Sequence, residues 1–365
     1  MSREALAFCG NAFIYWMETF PHAGSNPPVP VTIKQVAREA GVSIATVSRV
    51  LNGSGPAALE TREAVWQTVE RLGYVPNAAA QNLVRSRTDT IGVVLPFLAG
   101  EFYPAVVRGL DFAAQEAGRS LLLSSSHNAP ADTERALRAM QGRVDGLVVM
   151  TPAVPPARIA ASLTSDLPVV LLNAPFAGHP YDVFSTDGYG GARLAVSHLL
   201  DLGHERLAIL AGEVGNHDAE MRLEGWRDAL RARGLPAPEA FVLRGDFSQE
   251  SGVAAGRRLA ELASHSDGPT AAFASNDHMA MGAIRALVEA GLSVPRDVAL
   301  ASFDDVPSAA YFNPPLTTVH AYTPELSSRA AALLLTRISS ETMDEPWRET
   351  MPVRLEVRAS SGASR

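Results

Sequence analysis

The chain has 365 residues, 47% of them hydrophobic and 19% charged, with a formal net charge of -8. That is ordinary for a globular protein and long enough for two or three domains. No run of about eighteen apolar residues occurs, so no membrane span is expected. The single cysteine, Cys9, excludes an internal disulfide framework and suits a reducing, cytoplasmic setting.

An acidic balance excludes nucleic acid as a partner only if the charge is evenly spread. Between Val31 and Arg87 seven basic residues (Lys34, Arg38, Arg49, Arg62, Arg71, Arg85, Arg87) stand against four acidic ones (Glu39, Glu60, Glu63, Glu70). A basic N-terminal segment on an acidic body suits a protein that meets phosphate with one end.

Residues 1–30 read as an extension outside the fold. Ala5 to Met17 is mildly apolar but lacks the basic start and Ala-x-Ala site of a secretory signal, and His22 to Pro30 has linker composition. The extension is expected to be disordered, or translation to begin later, near Met17, Val29 or Val31.

Val31 to Asn52 reads as two short helices around a tight turn. Val36, Ala37 and Ala40 recur at helical spacing, as do Val47, Val50 and Leu51. Gly41 between them tolerates the positive φ a sharp turn needs, and Ser43 can cap the second helix. This is the layout of a helix-turn-helix whose second helix enters the major groove; the plain alternative is an αα-hairpin that touches no nucleic acid. Asn52 to Pro56 is a loop. Glu60 to Leu72 makes a third helix, closing a small core of Val36, Val47, Val50, Leu51, Val65 and Val69. Residues 31–76 therefore form an all-α helix-turn-helix DNA-binding domain. Residues 77–89 form a hinge helix and linker. Asn77 to Val84 is too short to hold a helix alone in water, so it is expected to fold only on a partner.

From Ile91 onward β-rich runs alternate with amphipathic helices, the pattern of doubly wound parallel sheets. Strands are expected at 91–95, 121–123, 146–149, 169–172, 207–210, 241–243, 271–274 and 298–303. Helices are expected at 105–117, 192–202, 222–231, 249–262 and 279–289. Two such units with a cleft between them resemble the periplasmic-binding-protein-like architecture. Residues 90–365 then form an effector-binding and dimerisation body, with an N-lobe of about 90–186 plus 320–345. The C-lobe is about 187–319 plus a C-terminal strand within Met351 to Val357. The fold class is α/β with an all-α N-terminal domain.

Several stretches carry a family resemblance. Thr32-Ile33-Lys34-Gln35-Val36-Ala37, Gly41-Val42-Ser43 and Thr46-Val47-Ser48-Arg49-Val50-Leu51-Asn52 are three, and Gly73-Tyr74-Val75-Pro76-Asn77 with Leu83 is another. In the body His198-Leu199, Leu202-Gly203-His204, Arg222-Leu223-x-Gly225-Trp226, Asn276-Asp277, Ala280-x-Gly282, Phe303-Asp304-Asp305 and Pro315-Leu316-Thr317-Thr318 match as well. On these the chain from Val31 resembles the lactose/galactose repressor family of bacterial transcription regulators. The resemblance implies a homodimer that binds palindromic operator DNA, most simply as a repressor, with affinity set by a small molecule, a sugar being the leading class. The leucine heptad tail of the tetrameric relatives is missing.

Candidate site residues follow. Ile44 and Ala45, at the start of the recognition helix, can reach base edges, though only as thymine-methyl contacts. Arg49 can fork onto guanine. Thr46 and Ser48 are phosphate candidates; Thr32, Ser43 and Asn52 are phosphate or cap candidates. Asn77 caps the hinge, and the resemblance makes Leu83 a wedge into the minor groove. In the body Arg222, Asn276 and Asp304 match ligand-contacting positions, with chemistry suited to a polyhydroxylated ligand. Phe247 matches an aromatic that stacks on it, and Phe102 and Tyr103 could close the other side. A structural salt bridge across the cleft between Arg222 and Asp304, and core packing of Phe247 and Phe102, are the plain alternatives.

The chain departs from the pattern in three places. Phe97 follows Pro96 where relatives carry Asp, and Asn173-Ala174 replaces Asp-Arg, leaving Asn173 as the polar group there. Ala57-Ala58 replaces Val-Ser, removing a cap from the third helix at a cost of about 1 kcal/mol. No nucleophile elbow, Walker loop or metal-ligand spacing occurs, so neither enzyme activity, cofactor nor metal is expected. A cytoplasmic solute-binding module without DNA binding is the competing function, against which the basic N-terminal segment counts.

Overall fold

The computed structural model of the protein describes residues 31–53, 56–75, 87–152, 154–163, 167–340 and 345–362. The N-terminal extension and the hinge positions Asn77 and Leu83 lie outside them. The chain divides into two compact units, Met1–Ser86 and Arg87–Arg365.

In the first unit α1 (Ile33–Glu39), α2 (Ile44–Asn52) and α3 (Leu59–Leu72) enclose Val36, Val47, Val50, Val65 and Val69. Thr32 and Gln35 form a reciprocal capping box at the start of α1. Gly41 adopts φ +67, and the next amide, of Val42, bonds back to the carbonyl of Ala37 at 3.0 Å. The expected turn is therefore made by the expected residue. α3 begins one residue earlier than its periodicity suggests, and its N-cap, Ala58, makes no side-chain bond.

The second unit holds two six-stranded sheets. Its elements begin with β1 (Thr90–Leu95), α4 (Phe102–Glu116), β2 (Ser120–Ser125), α5 (Pro130–Met140), β3 (Gly146–Val149), α6 (Pro156–Ala161), β4 (Val169–Leu172) and β5 (Asp182–Thr186). They continue with α7 (Gly188–Asp201), β6 (Leu207–Ala211), α8 (His217–Arg231), β7 (Val242–Arg244), α9 (Gln249–Ala263), β8 (Ala271–Ala274), α10 (Asp277–Glu289) and β9 (Ala299–Asp304). Last come β10 (Thr317–His320), α11 (Thr323–Ser339), β11 (Arg348–Met351) and β12 (Arg354–Glu356).

The N-lobe sheet runs β11-β5-β4-β3-β1-β2 and the C-lobe sheet β12-β10-β9-β8-β6-β7. Both are parallel except where β12 pairs antiparallel to β10. The central strands are buried on both faces, which is why they read as continuous apolar runs without alternation. In the N-lobe Ile91, Val93 and Leu95 pack under α4 and α11, and Val94, Leu147 and Val149 pack under α5 and α6. In the C-lobe one face carries Trp226 and Phe303 and the other carries Met279 and Leu300. α4 and α11 approach so closely that a Cβ on Gly109 would stand 2.1 Å from the carbonyl oxygen of Pro324, so only glycine fits there.

The C-terminal run is two strands, one in each sheet, because Pro352 breaks the ladder between Met351 and Arg354. Together with the passages from β5 to α7 and from β10 to α11, the chain crosses between lobes three times. Strands place their carboxyl ends toward one crevice, and the functional cleft lies there.

Candidate functional site

At the DNA-reading end Ser43 caps α2 by accepting from the Thr46 amide at 3.1 Å. Its hydroxyl also meets the Thr46 hydroxyl at 2.8 Å. Val47 and Val50 point inward, leaving Ile44 (45% exposed), Ala45 and Arg49 on the outer face. Arg49 forms no ion pair among the described residues, so its guanidinium is available as a fork. The structure assigns Thr32 and Ser43 to capping, and Asn52 donates to the Ser48 hydroxyl at 3.2 Å.

In the body α8 supplies Arg222, buried except for a trace of surface. One of its nitrogens, Nη1, donates to the Ser275 carbonyl, while Nη2 lies 3.7 Å from Asp304 Oδ1. The guanidinium stacks 3.8 Å from the Phe303 ring centroid and 5.8 Å from that of Phe247. Its Nε is buried with no hydrogen-bond partner among the described residues. Arg222 and Asp304 thus form a pair within the C-lobe and not a bridge across the cleft.

Asn276 caps α10 through the Met279 amide at 2.9 Å and donates to the Phe247 carbonyl at 3.0 Å. The second bond holds Phe247 at φ +68. Asn276 therefore ties down Phe247 with its amide nitrogen and caps a helix with its oxygen. Asn173, itself at φ +50, accepts from the Thr186 amide at 3.0 Å and donates to Asp218 Oδ2 at 3.3 Å. That last bond joins the lobes. The Glu101 carboxylate accepting from the Ser308 amide at 3.1 Å and Asn128 donating to Glu213 at 2.9 Å join them too.

Tyr103 faces the same cluster. Burial, then Asp218 and Asp304, push its hydroxyl pKa well above the ordinary tyrosine range. Burial raises the Asp218 carboxyl, against Arg222, His217 and Asn173, which favour its charge. Burial also raises Asp304 well above the carboxylate range, with Arg222 opposing and Asp277 and Asp218 adding to it. The buried Asp304 carboxylate beside the Arg222 guanidinium, with the half-buried Asp218 one turn earlier on α8, suits a ligand that brings hydroxyl donors.

Phe102 and Tyr103 are both half-buried, both pack against the N-lobe core, and meet edge-on at 5.2 Å. The helix begins at Phe102, not at Ala105, so both stand on its first turn. Asp218 is the residue the sequence reading missed. The apolar periodicity starts this helix at Arg222, but α8 begins at His217, more than one turn earlier, capped by Asn216. An Asp four residues before Arg222 shares its face. Beside the cleft a cavity of about 330 Å³ opens between the lobes, lined among others by Thr151, Ile159, Pro175, His217 and Glu220.

A helix-turn-helix joined in one chain to a two-lobed body with a polar cleft defines a regulator that couples a small-molecule site to DNA. The periplasmic-binding-protein-like domain matches residues 196–361 and the bacterial regulatory proteins of the lacI family match residues 32–77. The ribose operon repressor of Escherichia coli (strain K12) is 36% identical over 328 residues, 89% of this chain and 98% of that protein. Among solved structures, the lac repressor dimer bound to operator and an anti-inducer aligns with a TM-score of 0.80 at 30% identity, over 92% of this chain and 100% of that one. The complex of the transcriptional regulator CelR with cellobiose aligns at 0.69 and 35% identity, over 90% and 99%. The chain belongs to the lacI family and is a DNA-binding transcriptional regulator.

Proposed function

We propose that the protein is a repressor that binds a palindromic operator as a homodimer through α2, and that a neutral sugar held by Arg222, Asp304, Asp218 and Asn173 sets that affinity. The Arg222 guanidinium 3.7 Å from the buried Asp304 carboxylate, with Asp218 one turn earlier on the same helix, carries the effector reading. Ile44, Ala45 and Arg49 read bases, with Thr46 and Ser48 beside phosphate; Asn77 and Leu83 serve the hinge. Phe247 stacks on the sugar face and Tyr103 lies opposite. The similar structures named for operator and cellobiose support both halves.

The dimer contact in the N-lobe is the β2 edge. Leu122 and Leu123 are exposed on an unpaired strand edge and Phe112 is 62% exposed beside them. An apolar free edge of this kind needs a partner. The protein acts by binding and not by catalysis, in the cytoplasm; among the described residues no helix is long and apolar enough to cross a membrane.

A gel-shift assay on DNA flanking the gene, with and without D-ribose or cellobiose, tests the proposal. A retarded complex of dimer stoichiometry whose yield changes with sugar supports it. Solution binding of sugar with no retarded complex on any fragment would favour the solute-binding module.

A further inference from the structure

We propose that Asp277 is a positioning residue for the effector cleft: its buried carboxylate locks the turn after β9 that aims Asp304 at Arg222. The inference rests on the reading of Asp304 as an effector ligand.

Asp277 is the first residue of α10 and is fully buried. Its Oδ1 accepts from the Ser302 hydroxyl at 2.5 Å and the Thr318 hydroxyl at 2.7 Å, and its Oδ2 accepts from the Val306 amide at 2.8 Å. One carboxylate therefore ties together β9, β10 and the segment entering the short helix Pro307–Ala310.

Between Ser302 and Val306 lie two consecutive non-glycine residues in the left-handed region, Asp304 at φ +108 and Asp305 at φ +56. Side chains disfavour that backbone, and it persists only where the surroundings over-determine it. Asp277 grips the chain two residues before and two residues after Asp304. Outside the turn, Asp305 is held by Arg358 at 2.7 Å and His320 at 2.8 Å. With both grips in place the Asp304 carboxylate stands 3.7 Å from Arg222 Nη2. Asp277 itself has no exposed surface to meet a ligand, so it acts through Asp304.

The full-length chain tests this as Asp277→Ala, Asp277→Asn and Asp304→Asn. In ligand-free crystals Asp277→Ala is expected to let Asp304 leave positive φ and its carboxylate leave Arg222. Asp277→Asn is expected to restore both, because the amide oxygen can take the Val306 N–H while its NH2 donates to the two hydroxyls. Asp277→Leu, which fills the space without hydrogen bonding, is expected to behave like Asp277→Ala; a merely space-filling role would instead let it behave like Asp277→Asn. For whichever of D-ribose and cellobiose the wild type binds, affinity should fall roughly tenfold or more in Asp277→Ala, as when a charge-assisted hydrogen bond is lost.

Asp304 unmoved in Asp277→Ala would overturn the inference. Should that variant fail to fold, amide exchange in the wild type decides: Val306 protected to the level of the β9 core supports the lock, and Val306 exchanging freely overturns it. Unchanged sugar affinity in Asp304→Asn would refute the ligand reading alone, while the ligand-free crystals still judge the positioning.

Discussion

Asn173 donates to Asp218 across 3.3 Å, and the two residues belong to different lobes. Asn173 follows β4 in the N-lobe; Asp218 lies on α8 of the C-lobe, one turn before Arg222. An effector held by Arg222 and Asp304 therefore sits beside a bond whose formation requires the lobes to be closed. The asparagine that replaces the family's acidic residue matters here. A carboxylate opposite Asp218 would repel it, whereas an amide can donate.

Asp218→Ala is expected to remove this closure bond and to weaken sugar binding by roughly 1.5–3 kcal/mol, the range for a hydrogen bond to a charged group. Asp218→Asn keeps a donor–acceptor pair and should retain the closed form. Small-angle scattering of the ligand-free proteins reports closure, and calorimetry reports affinity. Equal compactness and equal affinity in Asp218→Ala and wild type would show that the bond does no such work.

Arg49→Ala should cost about 1–3 kcal/mol of operator affinity and relax preference at one base of each half-site. Non-specific binding should change little, because it rests on phosphate contacts. Binding to a library of half-site variants separates the two outcomes. A uniform loss across all sequences would assign Arg49 to phosphate instead.

What was legible in the sequence was local. Gly41, Ser43 and the valines of the first unit act over three or four residues, so their spacing carries the turn, the cap and the core. The apolar runs 91–95 and 271–274 mark central strands because burial on both faces leaves no alternation to misread. The longer-range features were harder. Asp218 and the true start of α8 depend on Asn216 as a cap, before any apolar periodicity begins. The start of α4 at Phe102, three residues before its apolar periodicity, is equally hidden. The split of 351–357 between two sheets is set by which strands lie nearest in space. Asp304 was readable as a candidate, but its positive φ, and the buried Asp277 beneath it, follow from packing among three elements distant in sequence.

Burial pushes the Asp277 carboxyl up to about 6 from its ordinary 3.8, although Ser302, Thr318 and Val306 favour its charge. A carboxyl whose folded value exceeds its unfolded one holds its proton longer in the folded chain. Its contribution to stability is then fully present below about 3.8 and is lost as pH rises through about 6. Asp304, raised by burial as well, works in the same direction. Asp277→Asn removes the first of these titrations. The stability difference between variant and wild type should therefore shift in the variant's favour across that window, by a total on the order of 3 kcal/mol. Denaturant melts at several pH values measure it. A difference independent of pH would mean that Asp277 titrates normally.

The last prediction concerns Ala58. It occupies the N-cap of α3 at φ -58 and ψ 146, extended backbone from which a side-chain oxygen could reach the first turn, yet it has none to offer. The free amides at that end are left to solvent, and the exposed α3 start contrasts with the capped starts of α1 and α2. Ala58→Ser supplies the acceptor without altering the backbone and should stabilise the first unit by about 1 kcal/mol. Because Ala58 lies in the first compact unit, the gain is best read locally. Amides of Val36, Val47 and Val65 in the full chain should exchange about fivefold more slowly, the factor that 1 kcal/mol implies. Amides of the body should be unaffected. Exchange unchanged in the first unit would mean that solvent already satisfies the α3 terminus as well as a serine does. Operator affinity offers an independent check, since α3 closes the core behind α2: it should rise or stay level, and a fall would place Ala58 itself against DNA.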